Sequence, residues 1–184
     1  GLIFIISTIL AILFLWLYGS LEITSNILIV LFVFISYAAL GFADDYLKVK
    51  YKNNKGLSRL FKMFIQTLIA LVFFYIFIRN GGEPTIEISF LNFYANIGWL
   101  YGIFILFLLV GTSNAVNLTD GLDGLAGGLS AIAFLAYGLI AWSTSWLIGY
   151  IDIAIFCFIL VGSLLGFLVF NTHPAKVFMG DTGS

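Results

Sequence analysis

Charge is what this sequence has least of. Of its 184 residues only 9% are charged and 62% are hydrophobic, and the mean hydropathy is +1.13. Roughly a quarter of the residues of a soluble domain are charged. A water-soluble globule is therefore excluded, and an integral membrane protein is left. Cysteine is nearly missing too: Cys157 stands alone in an apolar run, which excludes an internal disulfide and any cysteine-pair metal centre. His173 is the single histidine, next to Pro174 at the end of an apolar run, and reads as a loop residue. There is no P-loop, no Rossmann fingerprint and no HExxH. No basic segment precedes the first apolar run, so no cleavable signal peptide is expected. The absence of an initiator Met and the end at Ser184 suggest a piece of a longer protein, incomplete at both ends.

Long apolar runs are what is abundant. Six are long enough, or nearly so, to cross a bilayer, at about 2–18, 27–45, 63–79, 97–116, 126–143 and 151–171. The fold class expected is an all-α, polytopic helical bundle, a single transmembrane catalytic domain over 1–184 with no soluble domain and no repeat. Six of the eight basic residues, Lys48, Lys50, Lys52, Lys55, Arg59 and Lys62, fall in the second connection, which the positive-inside rule makes cytoplasmic. That cluster is accounted for by topology, so no nucleic-acid partner is expected. Alternation then sends 19–26, 80–96 and 144–150 outward. Trp16, Tyr18, Trp99, Trp142, Trp146 and Tyr150 gather near the outer ends as an aromatic belt. The segment at 80–96 carries a Gly-Gly-Glu-Pro turn and alternation at Ile86, Ile88 and Phe90, which predicts a short periplasmic hairpin. Gly98-x-x-x-Gly102 and Gly162-x-x-x-Gly166 suit close helix packing. Asp152 reads as interfacial at the outer end of the last span.

Five of the nine acidic residues are aspartates at the inner ends of the runs. Asp44 and Asp45 end the second apolar run, Asp120 and Asp123 lie in Asn114-Ala-Val-Asn-Leu-Thr-Asp-Gly-Leu-Asp-Gly-Leu125, and Asp181 follows the sixth run. Three remote stretches thus bring aspartates to one membrane face. A carboxylate at mid-bilayer costs about 2.5–3.5 kcal/mol on insertion scales, so these acids belong at the interface or in a wet cavity. Each has a bland reading: a solvated helix end for Asp44 and Asp45, caps and turns for Asp120, Asp123 and Asp181. Their conjunction fits chemistry better. Magnesium takes oxygen ligands from one or two carboxylates, waters and substrate phosphates. Asp120 and Asp123, three apart, would share a face in a helical turn. Gly121, Gly124, Gly127 and Gly128 argue against an unbroken helix and let backbone N–H groups approach an anion. Asn114 and Asn117 add amides one turn apart. The glycines beside Asp181 permit an exposed, tightly turned carboxylate, and Lys48 can hold phosphate charge. The set reads as a magnesium-dependent site for a phosphorylated substrate at the cytoplasmic face.

Three stretches together resemble a known family, the polyprenyl-phosphate N-acetylhexosamine-1-phosphate transferases. They are Gly41-Phe-Ala-Asp-Asp-Tyr-Leu-Lys-Val49, Asn114 to Ala126, and Pro174-Ala-Lys-Val-Phe-Met-Gly-Asp-Thr-Gly-Ser184. Within the family, Thr119, the Asp-Asp-Tyr-Leu-Lys-Val run and Lys55-Gly-Leu resemble the branch whose donor is UDP-N-acetylmuramoyl-pentapeptide. The resemblance implies transfer of phospho-N-acetylmuramoyl-pentapeptide to undecaprenyl phosphate, giving lipid I and UMP for peptidoglycan synthesis. It implies magnesium as cofactor and a multi-pass protein of the bacterial inner membrane, active on the cytoplasmic face. By the same resemblance, Asp181 would bind magnesium, and Asp44 would deprotonate the lipid phosphate with Asp45 in support. Asn117 and Asp120 would line the sugar-phosphate side. Gly121, Leu122, Asp123, Lys48 and Phe178 would form the uridine pocket. Asn171 would be a polar position near the metal, and Gly180 joins the substrate-binding set. Direct in-line attack on the β-phosphate and a covalent aspartyl-phosphate both stay open. A homodimer is one partner the sequence allows. The family has more spans than this chain, and a histidine-rich cytoplasmic loop, so residues 1–184 alone are expected not to turn over. Two alternatives compete: a sister transferase using UDP-N-acetylglucosamine, and a cation-coupled transporter, whose acids should instead lie near the midplane on repeated half-helices.

Overall fold

The structure is a computed structural model that describes residues 1–52, 56–144 and 149–184. Lys55 of the basic connection and Trp146 of the aromatic belt lie outside the described residues. In chain order the elements are α1 (Leu2–Leu17), α2 (Ser25–Tyr51), α3 (Arg59–Arg79), β1 (Thr85–Ile88), β2 (Phe93–Asn96), α4 (Leu100–Thr119), α5 (Leu125–Ser143), α6 (Tyr150–Asn171) and the short turn α7 (Gly180–Gly183). The chain is an all-α membrane protein by length and composition. Among the described residues five helices, α2 to α6, are long and apolar enough to span a bilayer. The first expected span, α1, is a shorter apolar helix of 16 residues, ~24 Å of rise against a hydrocarbon core of about 30 Å.

The helix ends depart from the apolar runs for local reasons. α2 continues to Tyr51, well past the expected end at 45. Tyr-Leu-Lys-Val-Lys-Tyr has no helix breaker, and Lys48 and Lys50 in the last turn complement the helix dipole. Asp44 and Asp45 therefore sit inside a helix, with room for an i, i+4 partner. At its start, Thr24 caps α2 by accepting from the Ile27 N–H, and Ser58 caps α3 by accepting from the Phe61 N–H. Helix is interrupted between Thr119 and Leu125, where Gly124 takes a φ of 75°, as the glycine run predicts.

α6 is the centre of the bundle. Phe156, Cys157, Leu160, Leu164 and Phe167 are buried in one core with Phe4, Ile5 and Ile12 of α1, Ile27 of α2, Ala126 and Ala131 of α5, and Met179. Lipid is as apolar as these side chains, so close van der Waals packing must hold them together. Small residues provide it, only partly where the sequence points. A Cβ at Gly162, Gly166 or Gly98 would meet nothing within 4 Å, and of the two expected motifs only Gly102 is close to a neighbour, the Phe74 ring. Between α5 and α6 a close approach outside the expected motifs is at Gly138 of α5, where a Cβ would lie 3.0 Å from Phe158 and 3.2 Å from Cys157. Elsewhere Leu10, Phe64, Phe107, Ile132 and Val169 are exposed, a surface suited to lipid.

The helices alternate in direction. The start of α1 packs on the end of α6, with the Phe4 and Phe167 rings 5.6 Å apart. At the opposite pole Thr24 Oγ1 donates to Asp152 Oδ2 at 2.6 Å. Asp152, read as interfacial at the end of its span, is also buried within the protein, because this contact folds it under the start of α2. The expected hairpin is present: β1 and β2 pair antiparallel, from Thr85 opposite Asn96 to Ile88 opposite Phe93. Phe90 falls outside the alternation, exposed in a 3-10 turn at Ser89–Leu91.

Candidate active site

One pole of the bundle collects the ends of α2, α4 and α6 and the starts of α3 and α5 around α7. Gly41 makes this possible. A Cβ there would overlap the Asp181 carbonyl oxygen, so only glycine lets α7 lie on α2. Asp45 then fastens the turn. Its Oδ1 accepts from the Asp181 N–H at 3.2 Å, and its Oδ2 accepts from the Thr182 N–H at 2.8 Å and the Thr182 hydroxyl at 2.5 Å. Gly180, with a φ of 66°, turns the chain into this contact and donates its N–H to Asp120 Oδ2 at 3.1 Å.

The result is a crowd of carboxylates. Oxygens of Asp44, Asp45 and Asp181 all lie within 4.8 Å of one another. Asp44 is buried, its Oδ1 accepting from the Leu57 N–H at 2.6 Å. Two lysines sit among the acids. Lys48 Nζ is 2.6 Å from Asp44 Oδ2 and 3.1 Å from Asp181 Oδ1, and Lys62 Nζ is 2.8 Å from Asp181 Oδ2. Burial pushes the Asp181 carboxyl up, but the hydrogen bonds with Asp44, Lys62 and Asn117 and the Lys62 charge outweigh it. Asp181 is held well below the usual carboxylate range. Asp181 is thus partly buried and gripped, rather than the exposed turn expected. Two ammonium groups do not balance three carboxylates. At this spacing each like-charge pair repels by about 3–4 kcal/mol in an effective dielectric of about 20.

The predicted site residues divide into two groups. Lys48, Asp44, Asp45, Asp120, Gly180 and Asp181 come together, and Asn117 joins them by donating to Ser184 Oγ at 2.8 Å. Burial raises the Asp120 carboxyl above its ordinary value, against the Gly180 N–H, and Asp181 and Asp45 raise it further. Asp123 turns elsewhere. It lies outside any helix, so the shared face expected with Asp120 is not formed. Its Oδ2 accepts from the Ala175 N–H at 3.0 Å and is 3.1 Å from His173 Nδ1. The Ala175 N–H first, then His173, hold this carboxyl below its usual range. Leu122 and Phe178 are exposed, and so is Gly121. Asn171 is buried, its amide spent on the backbone: it accepts from the Gly124 N–H at 3.2 Å and donates to the Val177 carbonyl at 2.9 Å. It ties the Asp120–Gly124 turn to the segment leading into α7.

Lys62 is legible in the sequence only as a topological charge. The third apolar run begins at 63, which puts Lys62 outside it. The helix starts at Arg59, so Lys62 and Gln66 stand four apart on one face of an apolar helix, and that spacing is the available signal. Beside the cluster a cavity of about 720 Å³ reaches into the bundle, with Lys62, Asn117 and Asp181 at its polar end and Phe34, Leu108 and Phe134 along its walls. The site therefore joins a polar, partly exposed rim to an apolar interior.

Comparison with known proteins agrees with this geometry. The glycosyl transferase family 4 model matches residues 26–184. The chain belongs to glycosyl transferase family 4. Curated relatives include phospho-N-acetylmuramoyl-pentapeptide-transferases from Geobacillus thermodenitrificans (52% identical over 156 residues), Bacillus licheniformis (50% over 163 residues) and Listeria monocytogenes serotype 4b (54% over 148 residues). These matches cover 85%, 89% and 80% of this chain and 47%, 49% and 44% of the respective relatives. The chain spans about half the length of the curated relatives it matches. The matched family 4 segment includes the whole carboxylate cluster and both lysines.

Proposed function

We propose that this chain carries the catalytic face of an enzyme that transfers phospho-N-acetylmuramoyl-pentapeptide from UDP to undecaprenyl phosphate, yielding lipid I and UMP. The observation that carries this reading is the convergence of Asp44, Asp45 and Asp181 within 4.8 Å of one another, with Lys48 and Lys62 among them. The names of relatives about half identical to this chain support the donor assignment over UDP-N-acetylglucosamine. Acids gathered at one end of the helices, rather than at their middles, speak against a transporter. We assign the reaction to the cytoplasmic side of the bacterial plasma membrane, from the basic cluster beside the site.

The donor set fits a magnesium ion: it is all oxygen, it comes from two elements held rigidly together, and it has more negative than positive charge. Asp181 and its neighbours would hold the ion. Bound there, magnesium supplies charge neutralisation at a diphosphate. The chain's own residues do the rest. Lys62 and Lys48 are set to steady phosphate oxygens, and Gly121, Leu122, Asp123 and Phe178 are each exposed and free to meet a nucleotide. The apolar cavity suits the neighbourhood of a lipid. An oxygen of undecaprenyl phosphate attacks the β-phosphorus of the donor, the bond to the α-phosphate oxygen breaks, and UMP departs. The acceptor oxygen is already nucleophilic, so positioning and charge are the main demands. Asp44, buried against Lys48, is the candidate base.

The test uses full-length protein in membranes with magnesium, undecaprenyl phosphate and either UDP-N-acetylmuramoyl-pentapeptide or UDP-N-acetylglucosamine. UMP release with the first donor and not the second is expected. Preference for the second would assign the chain to a sister transferase. Residues 1–184 alone are expected to release no UMP; measurable lipid I from them would overturn that part of the reading.

A further inference from the structure

Gln66, in the apolar part of α3, is a buried amide, 1% exposed. Its Oε1 accepts from Asn114 Nδ2 at 2.9 Å, and its Nε2 donates to Ser113 Oγ at 3.3 Å, so both ends of the amide are tied to α4. Asn114 is itself fixed by donating to the Val110 carbonyl at 2.7 Å. α3 has few other anchors. Only Ile69 and Ala70 are buried with Gln66, while Phe64, Leu68, Leu71 and Tyr75 are exposed. Its outer half meets α4 through the Phe74, Phe77 and Tyr101 rings, at 5.7–6.4 Å. Aromatic and apolar contacts against lipid resist rotation of a helix about its axis only weakly, because the side chains lose little by exchanging a neighbour for a lipid tail. An amide pair has direction and resists it. Lys62 stands one turn before Gln66 on the same face, and its ammonium meets Asp181 at 2.8 Å.

We propose that Gln66 is a positioning residue: through Ser113 and Asn114 it sets the rotation of α3 and so aims Lys62 at Asp181. The proposal rests on the reading of the Asp181 cluster as the transfer site, but not for its geometry. A lysine misplaced by about 1 Å in a phosphoryl-transfer site is enough to cost on the order of 100-fold in rate.

The experiment uses full-length protein and the variants Gln66→Met, which keeps the volume and suits lipid, and Gln66→Glu. The carboxyl introduced by Gln66→Glu, in its acid form, retains an acceptor for Asn114 and a donor for Ser113. Two readouts are taken on the folded fraction: steady-state kinetics, and the rate at which an amine-acylating reagent labels Lys62 relative to exposed Lys50. For Gln66→Met, kcat is expected to fall ~10- to 100-fold with the donor KM within about twofold of wild type, and Lys62 to label several-fold faster. Gln66→Glu is expected to restore both toward wild type. Unchanged Lys62 labelling in Gln66→Met overturns the proposal, whether or not kcat falls. So does a variant that is merely less stable, with wild-type kcat in its folded fraction. If wild-type protein shows no transfer at all, the functional reading fails, and the labelling comparison alone still decides the role of Gln66.

Discussion

The two poles of the bundle both hold buried aspartates, and they use them differently. At one pole Asp152 lies under the start of α2 with the Thr24 hydroxyl 2.6 Å away, and no salt bridge to it is found among the described residues. At the other, Asp44, Asp45 and Asp181 press together with Lys48 and Lys62, and Asp120 is drawn in by the Gly180 N–H. Burial alone does not separate a structural acid from a chemical one; Asp44 and Asp152 are both buried. Crowding of like charge does. Such a cluster costs folding energy, and it persists where something outside the chain is meant to offset it.

The sharpest way to break this comparison is to change charge at each pole. In the full-length protein Asp181→Asn should lower UMP release by on the order of 10²–10³ or more, with the protein still inserted in the membrane and some thermal stability lost at neutral pH, because a carboxylate held below its ordinary range stabilises the fold while ionised and Lys62 loses its charged partner. Unchanged turnover would remove Asp181 from the chemistry. Next in size is Gly41→Ala. Its methyl group would collide with the Asp181 carbonyl, and a shift of about 1 Å in α7 should cost on the order of 100-fold in rate with the protein still inserted in the membrane. Wild-type rates would mean that α7 does not depend on its seat on α2.

Asp120→Asn sharpens the contrast through pH. Burial raises the Asp120 carboxyl, so the folded state holds its proton more tightly than the unfolded chain does. The destabilisation is therefore absent below the ordinary carboxylate range. It sets in as pH rises through that range and is complete above the raised folded value. Asn keeps an oxygen for the Gly180 N–H and removes the charge. The variant should be more heat-stable than wild type at neutral pH, lose that advantage in acid, and lose activity. An equal gain at every pH would show that ionisation is not its source. The smallest effect belongs to the structural pole. Thr24→Val, which removes a helix cap and the partner of Asp152, should cost about 1–2 kcal/mol of stability and leave kcat unchanged. A large fall in kcat would mean that the poles are coupled.

Much of this was legible in the sequence because lipid is a strict solvent. Apolar runs, the basic connection and the hairpin all follow from where backbone and charge can be satisfied. The chain motifs brought Asp44, Asp45, Asp120 and Asp181 to one pole. What escaped reading depended on contacts between segments. α2 runs on past its apolar stretch because nothing in Tyr46–Tyr51 breaks a helix. Gly162 and Gly166 carry the packing motif, yet Gly138 has the close neighbour. Asp123 and Asp120 look alike in sequence, but one is taken by Ala175 and His173 and the other by Gly180. Lys62 is one more positive charge in the sequence until α7 is brought against α3.

The most direct test of the account is manganese binding, with the divalent ion standing in for magnesium and read by electron paramagnetic resonance on the full-length protein. The wild type should show bound ion that is lost in Asp181→Asn and in Asp44→Asn, and retained in Asp152→Asn at the opposite pole. Binding that survives removal of both Asp44 and Asp181 would contradict the claim that remote segments of the chain build one cation-holding rim.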